Sequence, residues 1–112
     1  MALLDKNALI QALRLKTEEV KLEDGHILVT EIPAAEYMEI CNNPNVKDAA
    51  GDTDGQAFMA LLSAHCIVDE SGCRVFEDNE AGLLANASPA AYARVLAAVQ
   101  RLNGLGDDTR KN

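Results

Sequence analysis

Apolar and polar positions alternate through residues 18–32, EEVKLEDGHILVTEI, around an Asp24-Gly25 pair. Two β-prone runs joined by such a pair predict a hairpin, because a type I′ turn needs two central residues that accept positive φ. A two-residue loop there sets Glu23 opposite His26, Leu22 opposite Ile27 and Val20 opposite Val29. That register places four apolar side chains on one face and Lys21, Glu23 and His26 on the other.

Elsewhere the apolar positions recur at helical spacing. Asp5 to Leu13 reads as a short amphipathic helix with Asp5 as N-cap and Leu9, Ile10 and Leu13 on one side. It is too short to hold itself, so it must dock on the body, dock on another subunit, or fray. Pro33 closes the second strand and opens a short helix through about Ile40. Gln56 to about Ile67 predicts a buried helix, with Phe58, Leu61, Leu62, His65 and Cys66 along one side and Asp54 or Thr53 as cap. Val68 then leads through Asp69-Glu70-Ser71-Gly72 into Cys73-Arg74-Val75-Phe76, a small β-turn or irregular hairpin. Asp78 is placed to cap a short helix near Glu80 to Ala85.

The last helix is clearly punctuated. Ser88 stands at the N-cap, Pro89 at the first helical position, and Tyr92, Val95, Leu96, Val99 and Leu102 form the stripe before Gly104 stops it. Asn42 to Gly55 is polar and rich in turn residues, the expected mobile loop. Residues 106–112 form a polar tail expected to be disordered. The whole is a single α+β domain over residues 1–105, mainly helical, with an N-terminal β-hairpin.

Composition narrows the partners. In 112 residues, 18 acidic against 10 basic side chains give a net charge of −8, which disfavours nucleic acid, whose phosphates require clustered Lys and Arg. Only 4% of residues are aromatic, so the core must be built from Leu, Ile, Val and Ala. Such a core leaves room for stabilisation by association. The first residues lack the pattern of a signal peptide, and no run reaches the roughly 20 apolar residues of a membrane span. A cytoplasmic location with reduced thiols follows as the expectation.

Candidate chemistry is sparse. Cys41, Cys66, Cys73, His26 and His65 lack the paired spacings that arrange a zinc site. Asp48, Asp52, Asp54 and Gly55 resemble a calcium loop only superficially. With Gly55 at the sixth position, the alternating ligand places fall on Ala50, Asp52 and Asp54, and the closing acid falls on Leu61. Cys66 and His65 are helix neighbours whose side chains diverge by about 100°, which does not suit a nucleophile and its base. Neither a phosphate loop nor a nucleophile elbow is present. The expectation is a protein without catalytic residues, metal or cofactor.

One ordered pattern extends over most of residues 14–105. Leu15-Lys16-Thr17-Glu18-Glu19-Val20 opens the hairpin, Ile27 to Ile32 closes it, and the short Pro33 to Ile40 helix follows. The apolar helix then enters Val68-Asp69-Glu70-Ser71-Gly72 with Arg74-Val75-Phe76 behind it, and the last helix ends in Leu102-Asn103-Gly104-Leu105. In this order the sequence resembles the tail assembly chaperones of long-tailed, siphovirus-type bacteriophages. The resemblance implies a viral assembly factor that binds the tape measure protein, keeps it soluble while the tail tube polymerises, and is absent from the mature virion. It also implies a frameshifted long form that contacts the tail tube protein, and self-association in the host cytoplasm.

Candidate partner-binding residues are Leu9, Ile10 and Leu13 on the first helix and Tyr92 and Val99 on the last, although the stripe holding Tyr92 and Val99 reads first as core. Rival readings are a head-tail connector or minor tail protein, which would remain in virions, and a small acidic adaptor, whose binding would be strongly salt-sensitive.

Overall fold

The computed structural model describes residues 3–105, and the polar tail expected at residues 106–112 lies outside them. Within the described residues the chain runs α1 (Lys6–Ala12), β1 (Thr17–Leu22), β2 (Gly25–Thr30), α2 (Ala34–Cys41), α3 (Gly55–Cys66), β3 (Ile67–Val68), α4 (Ala81–Ala85) and α5 (Pro89–Leu102). It is an α+β fold, mainly helical with an N-terminal hairpin, as the sequence pattern predicts. None of its described helices is long and apolar enough to cross a membrane.

The hairpin forms two residues away from the expected register. Leu22 faces Gly25, Lys21 faces His26, Val20 faces Ile27 and Glu18 faces Val29. The loop is therefore Glu23-Asp24. Among the described residues only Gly51, Gly72 and Gly104 have positive φ, so no type I′ turn forms at Asp24-Gly25. A slip of two keeps each side chain on its face, which is why the face pattern could not detect it. Val20 and Val29 are buried, and Leu22 and Ile27 pack against the core.

Proline supplies a reason for the register. In the expected pairing Lys16 would meet Pro33, which has no N–H to give. In the observed one the Glu31 N–H donates to Lys16 O at 2.8 Å, and the Lys16 N–H donates to Glu31 Oε1 at 2.8 Å. The ladder thus ends two residues before the proline.

β3 adds to the hairpin, pairing Leu28 with Val68 and Val29 with Ile67 in an antiparallel sheet of order β1-β2-β3. Helix α5 lies across β1 and β2, and α3 is central, touching α2, α4, α5 and β3. Leu62 and Ala64 of α3, Val99 of α5 and Val29 of β2 are completely buried. Tyr37 and Phe58 meet edge to face at 5.9 Å and join α2 to α3.

Local chemistry fixes the helix ends. The Asp54 carboxylate accepts the Gln56 and Ala57 N–H groups and caps α3. Ser88 stands at the cap of α5 without a side-chain bond, while Pro89 occupies its first turn. At the other end Gly104, at φ 74°, lets the Leu105 N–H turn back to Gln100 O at 2.7 Å, a Schellman closure. The expected capping of α4 by Asp78 is corrected. Asp78 begins a 3-10 turn, Asp78–Glu80, and the Glu80 carboxylate accepts the Glu77 N–H at 2.9 Å.

The segment from residue 42 to 55 has a pinned point within it. A 3-10 turn at Pro44–Val46 sinks Val46 to zero exposure, and the Asp54 N–H returns to Val46 O at 2.7 Å. Asp48 Oδ1 accepts the N–H groups of Ala50 and Asp52. The Asp48 carboxylate thus bonds to the backbone of its own loop.

Candidate functional site

Helix α1 presents an apolar surface that none of the described residues covers. The Asp5 carboxylate accepts the Ala8 N–H at 2.8 Å, and the Leu13 N–H closes the other end on Leu9 O and Ile10 O. These caps form the helix locally, yet it buries no residue. Leu9 is 45% exposed, Ile10 51% and Leu13 69%. Large apolar side chains at helical spacing normally face a core, so their joint exposure leaves an apolar patch on the surface of α1.

A second apolar surface is a groove of about 820 Å³ bounded by the turn end of the hairpin, β3 and the α4–α5 corner. Leu22, Ile27 and Val68 line it from the sheet, Phe76 and Leu84 from the connection and α4, and Ala91 and Tyr92 from α5. Burial pushes the Tyr92 hydroxyl above its ordinary pKa, consistent with the apolar wall. His26, Asp69, Glu70 and Ser71 add polar groups to the lining.

The turn beside this groove is built from its own sequence. Asp69 Oδ1 accepts the Ser71 N–H at 2.9 Å and the Cys73 N–H at 3.0 Å, and Gly72 takes φ 85°. The Asp69 N–H donates to Cys73 O at 2.8 Å, and Val68 bridges to Arg74. Asp-Glu-Ser-Gly is therefore a closed turn, with exposed Glu70 near its tip.

Behind it, His65 binds α3 to its neighbours. Its Nδ1 lies 2.5 Å from Glu36 Oε2 of α2, and its Nε2 lies 2.9 Å from Asp78 Oδ1. Arg74 Nη2 donates to Asp78 Oδ1 at 2.8 Å, and that hydrogen bond holds the Asp78 carboxyl below its ordinary range. The cluster anchors the segment that carries Phe76 into the groove wall.

Cys66, adjacent in sequence, is occupied separately. It is fully buried, its thiol is pushed up to about 11 chiefly by burial, and it accepts a hydrogen bond from Asn103 Nδ2 at 3.5 Å. A thiol held protonated in this way is a packing residue rather than a nucleophile. Cys41 is partly exposed and Cys73 exposed, and all three are free. Among the described residues no group of His, Cys, Asp and Glu is arranged to hold a metal ion.

The five candidate partner-binding residues fall in three different places. Leu9, Ile10 and Leu13 lie uncovered on α1, half-buried Tyr92 lines the groove, and Val99 has zero exposure in the core. Val99 offers no surface to a partner in this fold, because α5 turns it inward against the sheet. The groove walls at Phe76, Leu84 and Ala91 were missed. They come from separate segments, so no single stretch of sequence carries their pattern.

This arrangement of elements has a counterpart among solved structures. The fold is like that of a phage tail assembly chaperone. The structure of the bacteriophage HK97 tail assembly chaperone superposes with a TM-score of 0.53, over 88% of this chain and 98% of that one, at 13% sequence identity. At that identity the likeness is one of fold. No protein-family model and no curated protein matches the sequence.

Proposed function

We propose that this chain is a non-enzymatic tail assembly chaperone that binds a tape measure protein, keeps it soluble and supports polymerisation of the tail tube. The observation that carries this reading is a pair of uncovered apolar surfaces, α1 and the groove at Tyr92, on a fold like that of the HK97 chaperone. A long, aggregation-prone helical client presents apolar stripes, and surfaces of this kind bind such stripes by burying them. The net charge of −8 keeps the resulting complex soluble. In this reading several copies associate on one client in the host cytoplasm, a frameshifted long form contacts the tail tube protein, and the chaperone leaves before the virion is complete.

Co-expression with the long open reading frame encoded next to this one in its source genome tests the reading. The expected result is a soluble complex holding several copies of this chain, weighed by light scattering and little changed by salt. A client that stays insoluble and does not co-purify, even with the long form supplied, would overturn it. Presence of the chain in purified virions would instead favour a connector or minor tail protein.

A further inference from the structure

We propose that Asn103 is a latent modification site, whose side-chain amide the folded chain holds unreactive and which converts to a carboxylate when the end of α5 opens. The inference does not depend on the chaperone reading. Asn103 is the one asparagine in the sequence that is followed by glycine. Gly104 has no Cβ to hinder approach, so its backbone nitrogen is the least obstructed nucleophile that can follow an asparagine.

The reaction balances with water as its co-reactant. The Gly104 nitrogen gives up its proton to solvent base and bonds to Asn103 Cγ. The Cγ–Nδ2 bond breaks, the nitrogen leaves as ammonia after taking a proton from solvent, and a five-membered imide closes. Water then opens the ring at either carbonyl. One product is aspartate, and the other is isoaspartate, in which the chain continues through the side-chain carbon.

The fold opposes ring closure in two ways. Asn103 has φ −97° and ψ 14°. At that ψ the Gly104 nitrogen nearly eclipses the Asn103 nitrogen, whereas the ring requires it to eclipse Cβ. The carboxamide is also tied at both ends. Its Oδ1 accepts the Ile32 N–H at 3.3 Å, and its Nδ2 donates to Val99 O at 2.9 Å and to Cys66 Sγ at 3.5 Å. Yet Asn103 is only half-buried and Gly104 is exposed, at a helix end, where local opening costs least.

The product does not fit the place the amide leaves. Aspartate has no N–H for Val99 O, so an oxygen faces an oxygen where a hydrogen bond stood. Its charge lies at the C-terminal end of α5, where the last helix carbonyls repel it. Isoaspartate adds a backbone carbon inside the closure from the Leu105 N–H to Gln100 O. Opening thus becomes one-way, because a converted chain returns to a fold that lacks the tie between α5, α3 and the hairpin exit.

Incubation of the full chain at mildly alkaline pH, with and without guanidinium chloride, tests the site by peptide mass mapping and by an isoaspartate-specific methyltransferase. In denaturant, Asn103 is expected to convert about tenfold or more faster than Asn45 or Asn86, which precede valine and alanine. It should also convert about tenfold or more faster there than in the native chain. Gly104→Ala, compared in denaturant where its effect on folding plays no part, should slow conversion at Asn103. Asn103→Asp should unfold at a lower urea midpoint than wild type and expose Cys66 to iodoacetamide sooner. Should that variant not fold, refolding of partly converted wild type supplies the comparison, with unconverted chains enriched in the folded fraction.

Three results would overturn the inference. Conversion as fast in the native chain as in denaturant shows that the fold does not hold the carboxamide. An unfolded chain that converts Asn103 no faster than Asn45 and Asn86 removes the site itself. Asn103→Asp or converted chains as stable as wild type show that the product fits, and opening is then not one-way.

Discussion

Asn103 accepts the backbone N–H of Ile32 through its side-chain oxygen at 3.3 Å, joining the end of α5 to the exit of the hairpin across 71 residues of sequence. Its amide nitrogen donates to Val99 O at 2.9 Å and to Cys66 Sγ at 3.5 Å. One carboxamide therefore connects the sheet, α3 and α5. Replacing it leaves the Ile32 N–H without that partner in a part-buried position. Asn103→Ala is expected to lower stability by about 1–2 kcal/mol. Urea unfolding checks this, as a lower midpoint at unchanged slope.

The His65 cluster is expected to matter for stability rather than catalysis. His65→Ala removes both contacts to Glu36 and Asp78 and opens a gap under the 69–85 segment. A loss of about 1–3 kcal/mol follows from bonds to charged groups, discounted because Glu36 and Asp78 are partly exposed. A change under 0.5 kcal/mol in urea unfolding would show that the cluster contributes little.

Acid sensitivity has a definite sign at Asp78. The Arg74 hydrogen bond lowers its carboxyl in the folded state from an ordinary value of 3.8. A carboxyl depressed on folding stabilises the protein above that value, and the contribution is lost as pH falls through and below it. Asp78→Asn should therefore flatten the fall in melting temperature below about pH 4. Parallel thermal melts of wild type and variant across that range provide the measurement.

Thiol reactivity should follow burial. Cys66 has its thiol pushed up to about 11 and no exposure, while Cys73 is exposed. Iodoacetamide at pH 8 is expected to label Cys73 readily and to spare Cys66 until urea unfolds the chain. Peptide mass mapping over time distinguishes the sites. Early labelling of Cys66 in native protein would contradict its place in the core.

Gly25 tests the observed hairpin register against the expected one, with Gly104 as the contrast. Gly25 has ordinary negative φ, with nothing within 4 Å of an added Cβ, whereas Gly104 has φ 74°. Gly25→Ala should be neutral or stabilising by about 0.5 kcal/mol, as for a glycine within a strand. Gly104→Ala should cost about 1 kcal/mol, because it forces a side chain into the left-handed region. A loss of that size at Gly25 instead would restore the type I′ turn at Asp24-Gly25.

Much of the local structure was legible because its causes are local. Asp5 and Asp54 cap the helices they precede, Pro89 opens α5, and Gly104 closes it, each through groups within a few residues. Facing within the hairpin was legible for the same reason, since strand alternation alone decides which side chains turn inward. Register was not. A slip of two preserves every face, and the difference lies at Pro33, beyond the strands themselves.

By itself the sequence determined the α+β class, the order of helices and strands, the inward face of the hairpin and the punctuation of α5, because these depend on neighbours along the chain. Only the tertiary structure decided that Ile67 and Val68 join the hairpin as a third strand. It also decided that Asp78 serves His65 and Arg74 instead of a helix cap, and that Val99 is core while Leu9, Ile10 and Leu13 stand uncovered. The groove belongs to this second group. Its walls come from segments far apart in sequence, and an apolar position has the same chemistry whether the fold covers it or leaves it open.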